Sequence, residues 1–156
     1  MRRKHSKKMR EKTGKIAIER IGTLIPVFAA DAGIVLAYLF GSYARGTAGN
    51  LSDVDVALLL APSVPKAEYL NYRLKYITQV MRALRDDRVD VVLLNMAPPL
   101  LKHEAIKGRV LFERSPEVRV EFIMDTQRKY LDLKYFYAID YAYMRQRFKE
   151  GTFGQP

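Results

Sequence analysis

Two short apolar segments constrain the fold of this chain more than any other feature of its sequence. The segment Ile34–Phe40 is a continuous apolar run bounded by Gly33 and Gly41, which predicts a buried strand. A second strand is predicted over residues 53–60, where Pro62 stops the pattern soon afterwards. Because two buried strands must pair in a sheet, the chain cannot fold as a helical bundle.

The remaining periodicity predicts helices and strands on both sides of this pair. Helical spacing predicts a helix over residues 16–30, with Pro26 as a candidate kink, and another over residues 66–85. Residues 88–95 and 109–113 predict a third and a fourth strand, with a short proline-initiated helix between them. The residues expected on the inner face of the 66–85 helix are Tyr69, Leu70, Ile77, Val80, Met81 and Leu84.

A long helix is predicted at the C-terminal end. Ser115 can cap it, Pro116 suits its first position, and Glu117 lies near the positive end of its dipole. No proline or glycine follows until Gly151, so the helix can run over about residues 116–149, a length of about 50 Å. Packing on the sheet is the commonest explanation of its apolar residues. Since it is longer than one small core needs, we expect its distal half to serve an interface.

Length and composition favour one domain, expected to span residues 16–156. The element order α-β-β-α-β-α-β-α predicts an α/β or α+β architecture. The chain of 156 residues has no cysteine, which excludes disulfides, thiolate metal sites and cysteine nucleophiles. Its two histidines are too few for a three-histidine zinc site. Any bound metal must therefore be held by oxygen ligands.

Most of the positive charge lies at the N-terminus. Residues 1–15 contain eight Lys or Arg and one Glu, which accounts for +7 of the net charge of +10. We expect this basic tail to be solvated and poorly ordered. Weak contact with RNA or an acidic partner is the alternative, and it would depend steeply on salt. No apolar run approaches the roughly 20 residues of a membrane span, so we expect a cytoplasmic protein with no membrane contact.

Two carboxylates stand at the leading edge of the second strand. Residues two apart on a strand share a face, so Asp53 and Asp55 point away from the apolar residues between and after them. Their Cα atoms should lie roughly 6.5 Å apart, where two charges repel by about 2.5 kcal/mol at an effective dielectric near 20. A divalent cation would turn that repulsion into binding. The alternative is that Ser52 and Asp53 cap a turn while Asp55 is solvated.

Two other features favour the cation. Asp90 stands on the polar face of the third strand, so it can join the first two carboxylates across neighbouring strands, and three acids suit Mg²⁺ in phosphate chemistry. Gly41 and Ser42 end the first strand where backbone N–H groups and a hydroxyl can meet a phosphate. Together they form the pattern Gly-Ser, ten residues, then Asp-x-Asp.

At these residues the sequence resembles the minimal nucleotidyltransferases of the DNA polymerase β superfamily. The Gly-Ser turn falls on Gly41 and Ser42, the Asp-x-Asp pair on Asp53 and Asp55, and the third family carboxylate on Asp90. The flanks "GSYARGTA" and "SDVDVALLL" agree with that pattern. The segments "APPLLKHEAIKGRVLFERSPEVRVEF" and "RKYLDL" resemble the MntA-type antitoxins, which work with a HEPN-family toxin called HepT. The likeness covers about residues 15–150.

The resemblance implies a polymerase-β-like fold, a small mixed sheet flanked by helices, and a definite chemistry. AMP would pass from ATP to a tyrosine of a HEPN toxin, held with this chain in a hetero-oligomer. Asp53, Asp55 and Asp90 would bind two Mg²⁺ ions, Asp90 could also act as base, and the Gly-Ser turn would hold the β and γ phosphates. Arg45 could neutralise triphosphate charge, although an exposed helix arginine is the simpler reading. Two alternatives remain open: neutralisation of the partner by binding alone, and nucleotide transfer to RNA or a small molecule.

Overall fold

The computed structural model describes residues 19–49 and 51–149, with side chains up to residue 147. The basic tail and the first residues of the helix expected over 16–30 lie outside the described residues. The element order agrees with the sequence prediction, with one short helix added after the first strand. The elements are α1 (Leu24–Ala29), β1 (Ile34–Phe40), α2 (Gly41–Arg45), β2 (Val54–Leu60), α3 (Tyr69–Leu84), β3 (Val89–Leu93), α4 (Pro99–Ile106), β4 (Arg109–Glu113) and α5 (Pro116–Lys149).

The four strands form one mixed sheet in the order β3-β2-β1-β4. The central strand β1 is antiparallel to both β2 and β4, whereas β2 and β3 are parallel. A parallel pair needs a crossover connection, and α3 supplies it. Since β3 is an edge strand, half of its backbone groups have no neighbouring strand to pair with. The predicted small mixed sheet flanked by helices is therefore confirmed.

Apolar side chains cover both faces of the sheet. The larger core cluster lies under α1 and α3, and the alternate residues Val54, Val56 and Leu58 point into it, fully buried. The smaller cluster lies under α4 and α5 and contains Ala57 and Ala105. The alternation expected for β2 is thus observed, and its one polar side chain, that of Asp55, belongs to the α4–α5 face.

Three details of the predicted helices are wrong. The irregularity near the first helix is a 3₁₀ turn at Ile21–Thr23, and Pro26 lies in the first turn of α1, where a missing N–H costs no hydrogen bond. Leu70 is 64% exposed, whereas Tyr76, which was not assigned to the core, is fully buried. The inward-facing stripe follows the helical repeat, because Tyr76 lies within about 20° of Tyr69 around the helix axis and Leu70 lies about 100° from it. That stripe is Tyr69, Tyr76, Val80 and Leu84.

The long helix α5 has the predicted bounds and two dissimilar halves. Its first half contacts α4 and the sheet, and Phe122 packs against the smaller core cluster. Beyond Tyr130 the large apolar side chains are mostly exposed, with Tyr135 at 66%. Packing on the sheet therefore does not explain the distal residues, and their role as an interface stays a prediction. In the described part of the chain, no helix is long and apolar enough to cross a membrane.

Candidate functional site

The β2–β3 pairing places Asp55 beside Asp90. In the parallel ladder these two residues are direct partners, so their side chains leave the same face of the sheet on strands about 4.8 Å apart. On its other side Asp55 is opposite Phe40, the last residue of β1. Asp53 precedes β2 by one residue and is exposed. The predicted carboxylates therefore lie together at the end of the sheet where β1 finishes and β2 and β3 begin.

The electrostatics of this edge are dominated by negative charge. Burial raises the pKa of the Asp55 carboxyl, and the neighbouring charges of Asp90 and then Asp53 raise it further. Arg45 acts in the opposite direction and lowers the pKa of Asp55. Three other residues singled out from the sequence therefore act electrostatically on Asp55. The cluster is short of positive charge, which is the condition that favours a cationic ligand.

Gly41 packs directly against Asp55. It has φ of +68°, and a Cβ atom at this position would come within 2.1 Å of Asp55 Oδ2. Any other residue would both strain the backbone and displace the carboxylate, so glycine is required here on two independent grounds. Ser42 follows in the first turn of α2 and is half-buried. The Gly-Ser corner is thus in contact with the aspartate cluster.

The short helix α2 is held firmly beneath the site. Tyr43 is buried and anchors the helix in the larger core cluster, and this burial raises the pKa of its hydroxyl. Gly46 ends the helix with φ of +71°, and its N–H donates to the carbonyl of Tyr43. No atom lies within 4 Å of a Cβ placed on Gly46. Gly41 and Gly46 therefore share a backbone conformation but differ completely in their surroundings.

A cavity of about 160 Å³ opens beside Gly41. Arg45 lines one part of it, and Glu104 and Lys107, which form an ion pair, line another. A Cβ on Gly108 would meet the carbonyl oxygen of Leu39 at 2.2 Å, so a glycine allows the end of α4 to abut the end of β1. Sequence reasoning missed Lys107. Its only signal was a lysine and a glycine at the end of a predicted helix.

Arg73 reaches the third carboxylate from the other side of the sheet. Its Nε donates to the carbonyl of Val91 at 2.8 Å, and its Nη2 lies 3.4 Å from Asp90 Oδ1. Arg73 belongs to α3, which covers the opposite sheet face, so its side chain passes around the edge strand β3. Sequence reasoning missed this residue as well, because only the three-dimensional placement of α3 brings it near Asp90.

The three aspartates suit a hard divalent cation in their chemistry but do not enclose one. Carboxylate oxygens are the ligands that Mg²⁺ prefers. The pKa of Asp55 is raised first by burial and then by the charges of Asp90 and Asp53, whose repulsion a cation would relieve. Within residues 19–49 and 51–149, however, no three Asp, Glu, His or Cys side chains stand close enough together to hold a metal ion. The expected convergence of three carboxylates is therefore incomplete. Arg73 Nη2 lies 3.4 Å from one oxygen of Asp90, where its charge would compete with such an ion.

The sequence matches a known family over most of the described core. The profile of the family described as "Polymerase beta, Nucleotidyltransferase" matches residues 22–117, a segment that contains every residue of the candidate site. No curated protein matches the chain.

Several solved structures share the fold. A chain in the crystal structure of a toxin–antitoxin with AMP-PNP is 27% identical, with a TM-score of 0.62 over 81% of this chain and 98% of that one. A chain in a mutant MntA–HpeT toxin–antitoxin is 28% identical, with a TM-score of 0.58 over 72% and 87%. A third, from a tri-AMPylated Shewanella oneidensis HEPN toxin in complex with its MNT antitoxin, is 24% identical, with a TM-score of 0.57 over 83% and 98%, and shows the fold alone.

Proposed function

Since this chain belongs to the polymerase beta nucleotidyltransferase family, we propose that it is an antitoxin that transfers AMP from ATP to a tyrosine of a HEPN-family toxin. The observation that carries the proposal is the corner where Gly41 contacts Asp55 and Asp55 pairs with Asp90. The likeness to a toxin–antitoxin structure with AMP-PNP supports the partner class and an adenine nucleotide. The tyrosine acceptor is carried over from the family resemblance.

Asp53, Asp55 and Asp90 are the residues that would hold Mg²⁺. When bound, the ions would offset the charge of the triphosphate and of the attacking and leaving oxygens. The chain itself supplies three anionic ligands at the end of the sheet, already arranged so that their own repulsion favours a cation. Without the ions the same arrangement repels a nucleotide.

The neighbouring residues would position the triphosphate. The backbone N–H groups of Gly41 and Ser42 and the serine hydroxyl can donate to the β and γ phosphates, because glycine lets the phosphates approach the backbone closely. Arg45 and Lys107 line the cavity beside Gly41 and would neutralise charge there. For Lys107, contact with phosphate would replace its ion pair with Glu104.

The reaction forms a bond between the tyrosine oxygen and the α-phosphorus and breaks the bond from that phosphorus to the bridging oxygen of pyrophosphate. The tyrosine proton must leave in the same step, and we propose that Asp90 accepts it as general base. Loss of Asp90 should therefore reduce the rate more than the affinity for nucleotide.

The exposed distal half of α5 favours a second candidate, an antitoxin that neutralises its partner by contact alone. Its side chains Tyr135, Phe136 and Tyr137 are exposed over about two thirds of their surface, as an interface requires. Replacement of Asp53 and Asp55 by Asn separates the two candidates. Neutralisation by this variant would favour binding alone and contradict the enzymatic proposal.

The proposal is tested by intact-mass analysis of the partner protein that co-purifies with this chain. The two proteins are co-purified and incubated with Mg²⁺ and, in separate reactions, ATP, GTP, CTP or UTP. We expect the partner to gain the mass of AMP residues with ATP, and we expect a Phe replacement at the modified tyrosine to abolish the gain. Labelled nucleotide recovered in RNA or in a small molecule, with none in protein, would contradict it.

A further inference from the structure

We propose that Arg73 is a positioning residue that holds Asp90 until a divalent cation binds, and that it thereby sets the cation concentration at which the carboxylate cluster assembles. The inference rests on the proposed function, because it takes Asp90 as a metal ligand. It concerns a residue of α3, outside the motifs of the sequence analysis. The observations that carry it are the two contacts of one guanidinium group and the position of both partners on an edge strand.

The first contact fixes the guanidinium group at the edge of the sheet. Val91 lies in β3, the edge strand, and its carbonyl accepts a hydrogen bond from Arg73 Nε at 2.8 Å. The Val91 side chain is buried in the core beneath α3, so this part of the strand cannot move far. The carbonyl is thus a rigid anchor, and it holds the far end of a long and otherwise mobile side chain in one place.

The second contact is weaker and more exposed. The Nη2 atom lies 3.4 Å from Asp90 Oδ1, at the long end of hydrogen-bonding distances, and both side chains are 49% exposed. Exposed ion pairs of this kind stabilise proteins little. The arginine can therefore release Asp90 without losing its anchor on Val91. A divalent cation, with twice the charge, can displace it.

The charges around Asp90 explain what Arg73 contributes to the carboxylate cluster. Asp55 is its neighbour in the ladder, and the charges of Asp90 and Asp53 both act on Asp55. Arg45 acts on Asp55 in the opposite direction, whereas Arg73 contacts Asp90. Without a metal ion, the positive charge of Arg73 offsets part of the repulsion between Asp90 and Asp55. With one, the same positive charge competes for an Asp90 oxygen, so Arg73 lowers the affinity for the ion.

A purely structural role would give a different result. If Arg73 only covers the free edge of β3, its loss lowers stability to the same extent with and without metal and leaves the affinity for metal unchanged. If it also holds Asp90, its loss tightens metal binding. Direct measurement of Mn²⁺ binding separates the two roles, and it requires neither nucleotide nor turnover.

The experiment measures Mn²⁺ binding to the full chain from the electron paramagnetic resonance signal of free Mn²⁺. Arg73→Gln is compared with wild type, with Asp90→Asn, and with Arg82→Gln, which removes the same charge from an exposed position of α3. We expect Arg73→Gln to bind Mn²⁺ about two- to fivefold more tightly, from the strength of an exposed ion pair. Arg82→Gln should match wild type, and Asp90→Asn should bind more weakly.

The outcomes are distinguishable. Equal or weaker Mn²⁺ binding by Arg73→Gln, with normal binding by wild type, overturns the role of Arg73 and leaves the proposed function intact. No binding by wild type also overturns the role of Arg73, whereas the proposed function stands or falls with AMP transfer to the partner. If Arg73→Gln does not fold, the Nε–Hε resonance of Arg73 in wild type is followed by NMR during Mg²⁺ addition. A saturable shift that Asp90→Asn abolishes supports the role, and an unchanged resonance overturns it.

Discussion

Two aspartates at opposite ends of the sheet have opposite surroundings, and their pKa values are shifted in opposite directions. Asp31 precedes β1 and accepts hydrogen bonds from the N–H of Gly33, the hydroxyl of Tyr76 and the ammonium group of Lys75, all within 2.9 Å. Burial acts to raise the pKa of Asp31, but donation from Lys75 and Gly33 outweighs it and holds the pKa below its usual range. This carboxylate joins α3 to the start of the sheet.

Asp55, at the other end, is surrounded by other acids and by a glycine instead of by donors. Burial raises its pKa, and so do Asp90 and Asp53. A carboxylate that is fully satisfied stabilises the fold, whereas one that is crowded by like charge destabilises it. The fold tolerates this cost at the end where the family motif lies. The contrast indicates that Asp31 serves structure and Asp55 serves a ligand.

Replacement of each aspartate by asparagine should give the largest difference in the rate of AMP transfer. Asp55→Asn should reduce AMP transfer at least about a thousandfold, because a metal ligand contributes several kcal/mol to the transition state and 1.36 kcal/mol corresponds to tenfold. Asp31→Asn should leave the rate of the folded protein nearly unchanged. Initial rates with labelled ATP, measured at a temperature where both variants are folded, check this. A similar loss in both variants would contradict the distinction.

The glycines of α2 offer a matched pair for the same comparison. Gly41→Ala and Gly46→Ala should each lose about 1 to 2 kcal/mol of stability, because both backbones are left-handed. Only at Gly41 does the added methyl group meet Asp55, and displacement of a catalytic group by about 1 Å can reduce a rate about a hundredfold. We therefore expect a large loss of transfer in Gly41→Ala and little in Gly46→Ala. Equal transfer rates in the two variants would show that the close contact between Gly41 and Asp55 does not set the position of the carboxylate for transfer.

The pH dependence of stability should have opposite signs at the two ends. The folded pKa of Asp31 is lowered, so its stabilising contribution is present above the usual aspartate pKa and is lost as the pH falls through the folded value. The folded pKa of Asp55 is raised, so its contribution is present at low pH and is lost as the pH rises above the usual aspartate range.

Urea unfolding between pH 3 and pH 7 would measure both contributions. Asp31→Asn should cost about 1 to 3 kcal/mol near neutral pH, the range for hydrogen bonds to a charged group, and this cost should shrink below about pH 4. Asp55→Asn should gain stability relative to wild type as the pH rises above that value. Parallel pH profiles for the two variants would contradict the assignment of opposite shifts.

The smallest effects are expected at the cavity beside Gly41. Arg45→Gln and Lys107→Gln each remove an exposed charge from its lining, so each should raise the KM for ATP about two- to fivefold with a smaller change in kcat. Arg82→Gln serves as the control for lost charge. Steady-state kinetics would check this, and an unchanged KM in both variants would place the triphosphate elsewhere.

Much of the fold could be predicted because its signals are local. The bounds of β1 and β4 follow from apolar runs that end at glycine or at charged residues, and the start of α5 follows from Ser115, Pro116 and Glu117. The inner face of α3 was predicted only in part. Leu70 lies about 100° from Tyr69 around the helix axis and is exposed, whereas Tyr76 lies on the same stripe as Tyr69 and is buried.

The residues of the candidate site also fall into those that a local sequence pattern predicts and those that it does not. The shared face of Asp53 and Asp55 follows from the two-residue period of a strand, and their approach to Asp90 follows once β2 and β3 are neighbours. Arg73 and Lys107 reach the site from helices distant in sequence, and no local pattern marks them. The function of every residue in the cluster remains a prediction that the comparison between Asp31 and Asp55 can test.

The central claim is that the Asp55 end of the sheet transfers the α-phosphoryl group of ATP, with its nucleoside, to a protein. The most direct measurement incubates the chain and the proposed HEPN partner with Mg²⁺ and ATP labelled either at the α or at the γ phosphate. We expect the α label on the partner protein and the γ label in pyrophosphate, with neither transfer in the Asp53→Asn, Asp55→Asn variant. A γ label on protein, α label in RNA alone, or transfer that survives the double substitution would contradict the claim.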